Sequence, residues 1–518
     1  MSKCAVMAYK KILVFVIPVL LIVSMTGCKT ARANGSNKDY KDDYSSLIQP
    51  VEMKLVLGYS EEAPSKDNLI ISELNKLANA DINIEWTPMV SYNDKFNVLM
   101  ASNEHPDVIL VPDVKNAVFV DGIIAGMFWE LTSYLQEYPE LSQIKPLLLK
   151  NASVEGKLYI IPRERALKRK MVVYRSDWAK EAGLDAPDTI DGIYNMAKAF
   201  AYGDYDRNMQ NDTIGFALGT VNNEIDCIDA LVVAFGGFNR WGIKDGKVIP
   251  AFMTEEYLET LNWLRKMFDE GLISPDFAIT KTTQIVPDFV DKEKTGLWLS
   301  YKLPNRSDPV LVAKQREDPS ITREDVFEFA FLKGPGGKER IAAETGISGG
   351  FAFSKRAVKD ESRLRELLSI FDVIQSREGQ ILINNGVPNV HFELVENKYA
   401  KAVDPAVFNK EVSPIGQLGT GGGKAYIIAD DEITVRLDNA RRTFDESGMI
   451  SDITAPLTST SYSSNSMNLL RIISEAQFNY IMGKINENGW RKALEDWMSA
   501  GGASAIEEFT QAYNKENK

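Results

Sequence analysis

Histidine and cysteine are nearly missing from this chain, whose 518 residues carry two of the first and three of the second. Neither His105 nor His391 stands in a triad or HExxH context, so histidine-based hydrolysis finds no support. Cys4 and Cys28 fall in the N-terminal stretch, which leaves Cys227 without an internal disulfide partner. Its neighbours Ile225, Ile228, Leu231 and Val232 suggest a buried structural thiol rather than a nucleophile. Basic charge is also in deficit. A formal net charge of −13 argues against nucleic acid as a partner, because affinity for phosphates comes from Lys and Arg. Long apolar runs are scarce, and the one at 12–23 falls short of the ~20 residues needed to span a bilayer. Short internal repeats and low-complexity blocks are absent as well.

What is there begins with an export signal. Lys3, Lys10 and Lys11 precede the 12–23 run, and small residues follow it. Met25-Thr26-Gly27-Cys28 resembles the lipobox of bacterial lipoproteins, which implies a signal peptide over 1–27 and lipid on the Cys28 sulfur. Several acyl chains, palmitate among them, would anchor the protein stably to the outer face of the cytoplasmic membrane. The 28–50 segment is rich in Asn, Asp, Lys and Ser with no apolar cluster, and reads as a solvated tether.

The roughly 470 residues that follow are too many for one ordinary core, so two large lobes are expected. Strand signals at 54–58, 82–86 and 106–111 alternate with helix signals at 68–78 and 93–101, the pattern of a parallel α/β sheet. A strand at 157–161 precedes a second α/β region that starts near 171. In it, helices are expected at 189–200, capped by Asp188, and at 255–270, capped by Thr254 and stopped by Gly271. A strand follows at 327–332, and helices at 469–485 and 490–498.

Val173-Tyr174-Arg175-Ser176-Asp177-Trp178 with Ala182-Gly183-Leu184 is followed by Ala186-Pro187-Asp188-Thr189, Lys198-Ala199-Phe200, Phe268-Asp269-Glu270-Gly271-Leu272-Ile273 and Gly296-Leu297-Trp298. In this order the stretches resemble the family-1 extracellular solute-binding proteins of ABC importers, in particular the long lipoprotein subgroup that includes alginate-oligosaccharide-binding proteins. The resemblance implies a type II periplasmic-binding-protein-like α/β fold, with two lobes joined by a hinge and a ligand cleft between them. Lobe one would take 51–168 and 328–378, and lobe two 169–327 and 379–518. It further implies a monomer that captures an oligosaccharide, closes by hinge motion and delivers it to permease subunits. A surface-tethered glycan-active enzyme and a ligand-sensing lipoprotein coupled to a membrane sensor are the alternatives. Among 72 Asp and Glu residues a glycosidase-like carboxylate pair can be drawn anywhere.

Sugar rings stack on aromatic side chains while their hydroxyls need polar partners. Trp298 is the first ligand-binding candidate, since Gly296-Leu297-Trp298 resembles the stretch where sugar-binding relatives present a stacking tryptophan. Tyr59, in the loop after the first strand, and Tyr174 follow. Arg163 and Arg165 open a basic run, continued by Lys168, Arg169 and Lys170, which would clamp an acidic sugar or else form a solvated face. Asp204, Asp206, Asn208 and Asp212, with the Gln210 carbonyl, have the one-three-five-seven-nine spacing of an EF-hand-like loop and suit structural Ca²⁺. Met209 replaces the usual glycine of such a loop, and Gly215 its glutamate. The 419–424 segment, Gly-Thr-Gly-Gly-Gly-Lys, looks like a phosphate loop, but Leu418 and Ala425 break the motif and a flexible loop is expected.

Overall fold

The Val108–Val111 strand reads Val-Ile-Leu-Val and is buried at every position, as a strand covered on both faces must be. It lies at the centre of a five-stranded sheet in the order Ala80–Pro88, Val51–Tyr59, Val108–Val111, Ile347–Phe353, Ile161–Glu164. The first three strands are parallel, as their alternation with helices implies. Ile347–Phe353 runs antiparallel to both its neighbours, Val108–Val111 and Ile161–Glu164, so the sheet is mixed rather than purely parallel. Ile347–Phe353 enters from a distant part of the chain, and no local pattern specifies its direction. Asn68 caps the Leu69–Ala78 helix by accepting from the Ile70 and Ile71 N–H groups. Helices Tyr92–Ala101 and Glu361–Gln375 cover the same core.

This computed structural model describes residues 49–517 apart from 61, 211, 422, 444 and 445. The signal peptide, Cys28 and nearly all of the expected tether lie outside the described residues.

A second core forms around a three-stranded antiparallel sheet with Met171–Arg175 between Leu297–Ser300 and Phe327–Ala330. One face packs on helices Ile190–Tyr202, Glu255–Asp269 and Thr460–Ile481. The other packs on Pro309–Glu317 and Glu432–Arg442 through Val310, Leu311, Ile433 and Leu437. The 255–269 helix starts at the Thr254 cap and stops before Gly271 at φ 70°. Thr189 rather than Asp188 caps the Ile190–Tyr202 helix, its hydroxyl accepting from Gly192 N–H.

The two cores divide the chain differently from the sequence-based boundaries. Phe327–Ala330 belongs to the second sheet, and Phe408, Val412, Ile415 and Leu418 pack in the first core. The chain therefore passes between cores three times, near 162–170, 343–346 and 419–432. The first two passages run side by side, tied by Arg165 N–H to Gly346 C=O and by Glu344 N–H to Leu167 C=O. The glycine-rich 419–424 segment lies on the third passage, where the Thr420 carbonyl accepts from Glu164 N–H at 2.7 Å.

Candidate functional site

A cavity of about 240 Å³ opens in the second lobe, against the first chain passage at Lys170. Short connecting elements build its wall. Thr220–Val221 and Glu224–Ile225 form a hairpin whose two turn residues, Asn222 and Asn223, both have positive φ, as a tight turn with the strand twist requires. The hairpin presents Glu224, and the turn into helix Ile228–Ala234 presents Asp226, Cys227 and Asp229. Phe238 and Arg240 come from the next loop, Trp241 opens the Trp241–Lys244 strand, and Tyr301 follows directly after the Leu297–Ser300 strand. Asp452 and Tyr462 complete the rim. Asp452 is fixed by Thr454, whose N–H and hydroxyl both donate to it, and Tyr462 stands in the first turn of the long 460–481 helix. Trp241 is wedged edge-on between Tyr462 at 5.7 Å and Phe509 at 4.9 Å, so its indole is held in place.

Ion pairs connect this wall to the chain passages. Lys170, buried on the first passage, is paired with Asp229 of the cavity and with Glu344 of the second passage. Burial opposes its charge, but Asp229 and Glu344 more than offset that and hold its pKa above the ordinary lysine value. Arg240 is exposed at its side chain, and Asp229, Glu224 and Asp452 together raise its pKa. Burial pushes up the carboxyls of Glu224 and Asp452 and the Cys227 thiol, which works against a reactive thiolate there. Rigid aromatic faces beside carboxylate acceptors suit a ligand that combines apolar C–H faces with hydroxyl donors.

The residues singled out from sequence are dispersed. Trp298 is 1 % exposed and pairs with Val173 in mid-strand, its ring edge-on to Phe327. Alternation along 297–300 turns it toward Val310, Leu311 and Ile433, where two helices seal the face, so it is a core residue and not part of the cavity. Tyr174 is 8 % exposed on the opposite face, and burial pushes its hydroxyl up to about 12. Tyr59 is half-buried at the carboxyl end of its strand in the first lobe, away from the cavity wall.

Arg163 is also in the first lobe, donating to Gln417 at 2.9 Å and to the Ser348 carbonyl at 3.3 Å. Burial lowers its pKa to about 10. Arg165 is exposed, and its side chain has no hydrogen-bond or ion-pair partner among the described residues. The basic run is not one solvated face. Lys168 is buried against Glu339 and the Phe331 ring, and Arg169 stacks 5.0 Å above Tyr301.

In the Asp204–Asp212 loop, Asn208 donates its side-chain amide to Asp206 and Asp212, while Met209 N–H donates to Asp204. Met209 adopts φ 58°, the left-handed turn a glycine would otherwise supply. Burial, and then the crowding of Asp204 and Asp212, raises the Asp206 pKa. Among the described residues no group of three His, Cys, Asp or Glu side chains converges to hold a metal.

Sequence reading missed Glu224, Asp226, Arg240, Trp241, Tyr301, Asp452 and Tyr462. The one local signal for them was Val221-Asn222-Asn223-Glu224, a hairpin turn.

This fold belongs to a known class. The model of the bacterial extracellular solute-binding protein family matches residues 59–381, and the chain is a member of that family of binding proteins. Its architecture is type II periplasmic-binding-protein-like. Two relatives from Bacillus subtilis (strain 168) match almost end to end. Lipoprotein LipO is 33 % identical over 504 residues, covering 95 % of this chain and 97 % of the relative. The polygalacturonan/rhamnogalacturonan-binding protein YtcQ is 31 % identical over 519 residues, covering 98 % and 99 %. Among solved structures, an HMO-binding ABC-transporter-associated solute-binding protein from Bifidobacterium longum infantis superposes with a TM-score of 0.69 at 16 % identity, over 91 % of this chain and 100 % of that one. Among the described residues no helix is long and apolar enough to cross a membrane.

Proposed function

We propose that the protein captures an oligosaccharide in the second-lobe cavity, closes its lobes over it and delivers it as a monomer to the permease subunits of an ABC importer. The observation that carries this reading is the cavity itself, where Tyr301, Trp241 and Tyr462 stand beside Glu224 and Asp226 next to the chain passages between lobes. Membership of a family of extracellular binding proteins supports an extracytoplasmic location, and one relative is named a lipoprotein. Lipid on Cys28 would hold the protein at the outer face of the cytoplasmic membrane.

Closure has a structural route. Lys170 joins Asp229 of the cavity to Glu344 of the second passage. A ligand that engages Asp229 acts directly on the segments that must bend, and its preference for the closed arrangement shifts the population. Lys115 already reaches across, donating to the Ser153 carbonyl in the first lobe and the Pro456 carbonyl in the second, each at 3.2 Å. Burial lowers its pKa to about 8.

Ca²⁺ in the Asp204–Asp212 loop is part of the proposal, as a structural ion. Asp204, Asp206 and Asp212 would supply charged oxygens, joined by Asn208 once its amide turned its oxygen inward, and by the Gln210 carbonyl. The cation would relieve the repulsion that raises Asp206.

A thermal-shift screen of oligosaccharides, followed by small-angle scattering on any hit, tests the reading. A binder at about 100 times its Kd adds roughly 2.7 kcal/mol to stability, and compaction should accompany it. A hit without compaction contradicts closure, and no hit across a broad panel contradicts carbohydrate capture.

A further inference from the structure

Charge on the cavity wall is uneven. Lys170 and Arg240 meet Glu224, Asp226, Asp229 and Asp452 there. Lys170 is already held by Asp229 and Glu344, and Asp229 also lies 3.8 Å from Arg240. Asp452 is occupied by Thr454. Two acceptors remain open. Glu224 has no side-chain hydrogen-bond partner among the described residues, and Asp226 has only the weak Cys227 thiol donor at 3.5 Å.

The ionisable neighbours respond to the same field. Burial first, and then Glu224 or Asp226, raises the pKa of Tyr257, Tyr462 and Cys227, and Tyr301 is raised by burial, then Cys227, then Asp226. A carboxylate with free lone pairs takes hydroxyl donors strongly, since such charge-assisted bonds are about twice as strong as neutral ones. The same carboxylate repels a second one, and Glu224 and Asp226 are half-buried, where that repulsion is stronger than in open water. Like charge on a wall therefore rejects the wrong ligand as it welcomes the right one.

We infer that the cavity selects uncharged sugar units over uronates, with Glu224 and Asp226 as the hydroxyl acceptors that set this preference; the inference rests on the carbohydrate-binding reading above. The basic residues do not reverse it. Lys168 and Lys170 are consumed by Glu339, Asp229 and Glu344, Arg163 is turned to Gln417 within the first lobe, and the remaining wall cation, Arg240, is outnumbered by Asp229, Glu224 and Asp452, which all act on it.

Calorimetric titration of the mature chain with neutral xylo-, manno-, galacto- and fructo-oligosaccharides, beside oligogalacturonates of matched length, tests this. A neutral series should bind with little dependence on salt, and the oligogalacturonates at least about tenfold more weakly, a difference of roughly 1.4 kcal/mol. Glu224→Gln and Asp226→Asn should each weaken neutral binding by roughly tenfold with little change in melting temperature, because both keep the side chain's shape while losing its charge and turning one acceptor oxygen into an amide donor. Oligogalacturonate binding as tight as the best neutral sugar overturns the inference and leaves carbohydrate capture standing. Unchanged neutral affinity in both variants overturns the assignment of the two acceptors. Failure of every sugar in both sets overturns the inference together with the reading it rests on.

Discussion

Trp298 and Tyr301 lie three residues apart on one segment and meet opposite fates. Trp298, in mid-strand, is sealed between the small sheet and two helices, whereas Tyr301, just past the strand end, lines the cavity and carries Arg169 on its ring. Aromatic character alone therefore does not mark a cavity residue in this fold: Trp298 lies within its strand and is sealed under two helices, while Tyr301 lies just past the strand end, on the cavity wall.

The largest effect should come from breaking the core side. Trp298→Ala leaves a cavity among Phe327, Val310 and Leu311 and should cost about 3–5 kcal/mol of stability in denaturant melts. Sugar affinity of the folded fraction should remain unchanged, and a selective loss of affinity would return Trp298 to the binding site. On the cavity side, Tyr462→Ala should reverse the pattern. Ligand affinity should fall by roughly 1–2 kcal/mol, about tenfold, through loss of a ring face. Its melting temperature should drop less than that of Trp298→Ala, and equal drops in the two variants would erase the contrast.

Beside the Trp298 core lies a pair of carboxyls, Asp308 and Asp291. Burial, and then Asp291, raises the Asp308 pKa from 3.8 to about 6. The folded state thus binds more protons than the unfolded chain between these values. Stability falls as pH rises through that window, and the penalty is complete above about pH 6. Asp308→Asn keeps the cap on the Val310 and Leu311 N–H groups and removes the repulsion. It should stabilise by about 1 kcal/mol at pH 7.5, after discounting for solvent screening, and by nothing at pH 3.5. A gain that is independent of pH would contradict the pairing.

The smallest effect concerns the other acidic cluster of this lobe. Asp206→Asn should abolish any rise in melting temperature that Ca²⁺ gives the unaltered chain over EDTA, a shift expected to be a few degrees. Its sugar affinity should not move. A Ca²⁺ shift that survived in the variant would place the ion elsewhere.

Much of the first lobe was legible, since the Val108–Val111 strand is a continuous apolar run and the Leu69–Ala78 helix carries Ile70, Ile71, Leu74 and Leu77 at helical spacing. The 255–269 helix was legible from its Thr254 cap and the Gly271 stop. The antiparallel entry of Ile347–Phe353 was not, because strand direction depends on a crossing made far away in the chain. Nor was the cavity, whose wall draws on Glu224, Trp241, Tyr301 and Tyr462 from four separate segments. None of these residues stands in a repeating pattern, and only the Asn222-Asn223 turn announced that a side chain would be projected there.

Hydrogen–deuterium exchange with and without a saturating neutral oligosaccharide tests the central claim most directly. Protection should appear at 221–241, 300–303 and 449–466, with a further change at the passages 162–170 and 343–346. Protection confined to the helices that cover Trp298, at 309–317 and 432–442, would contradict the placement of the site.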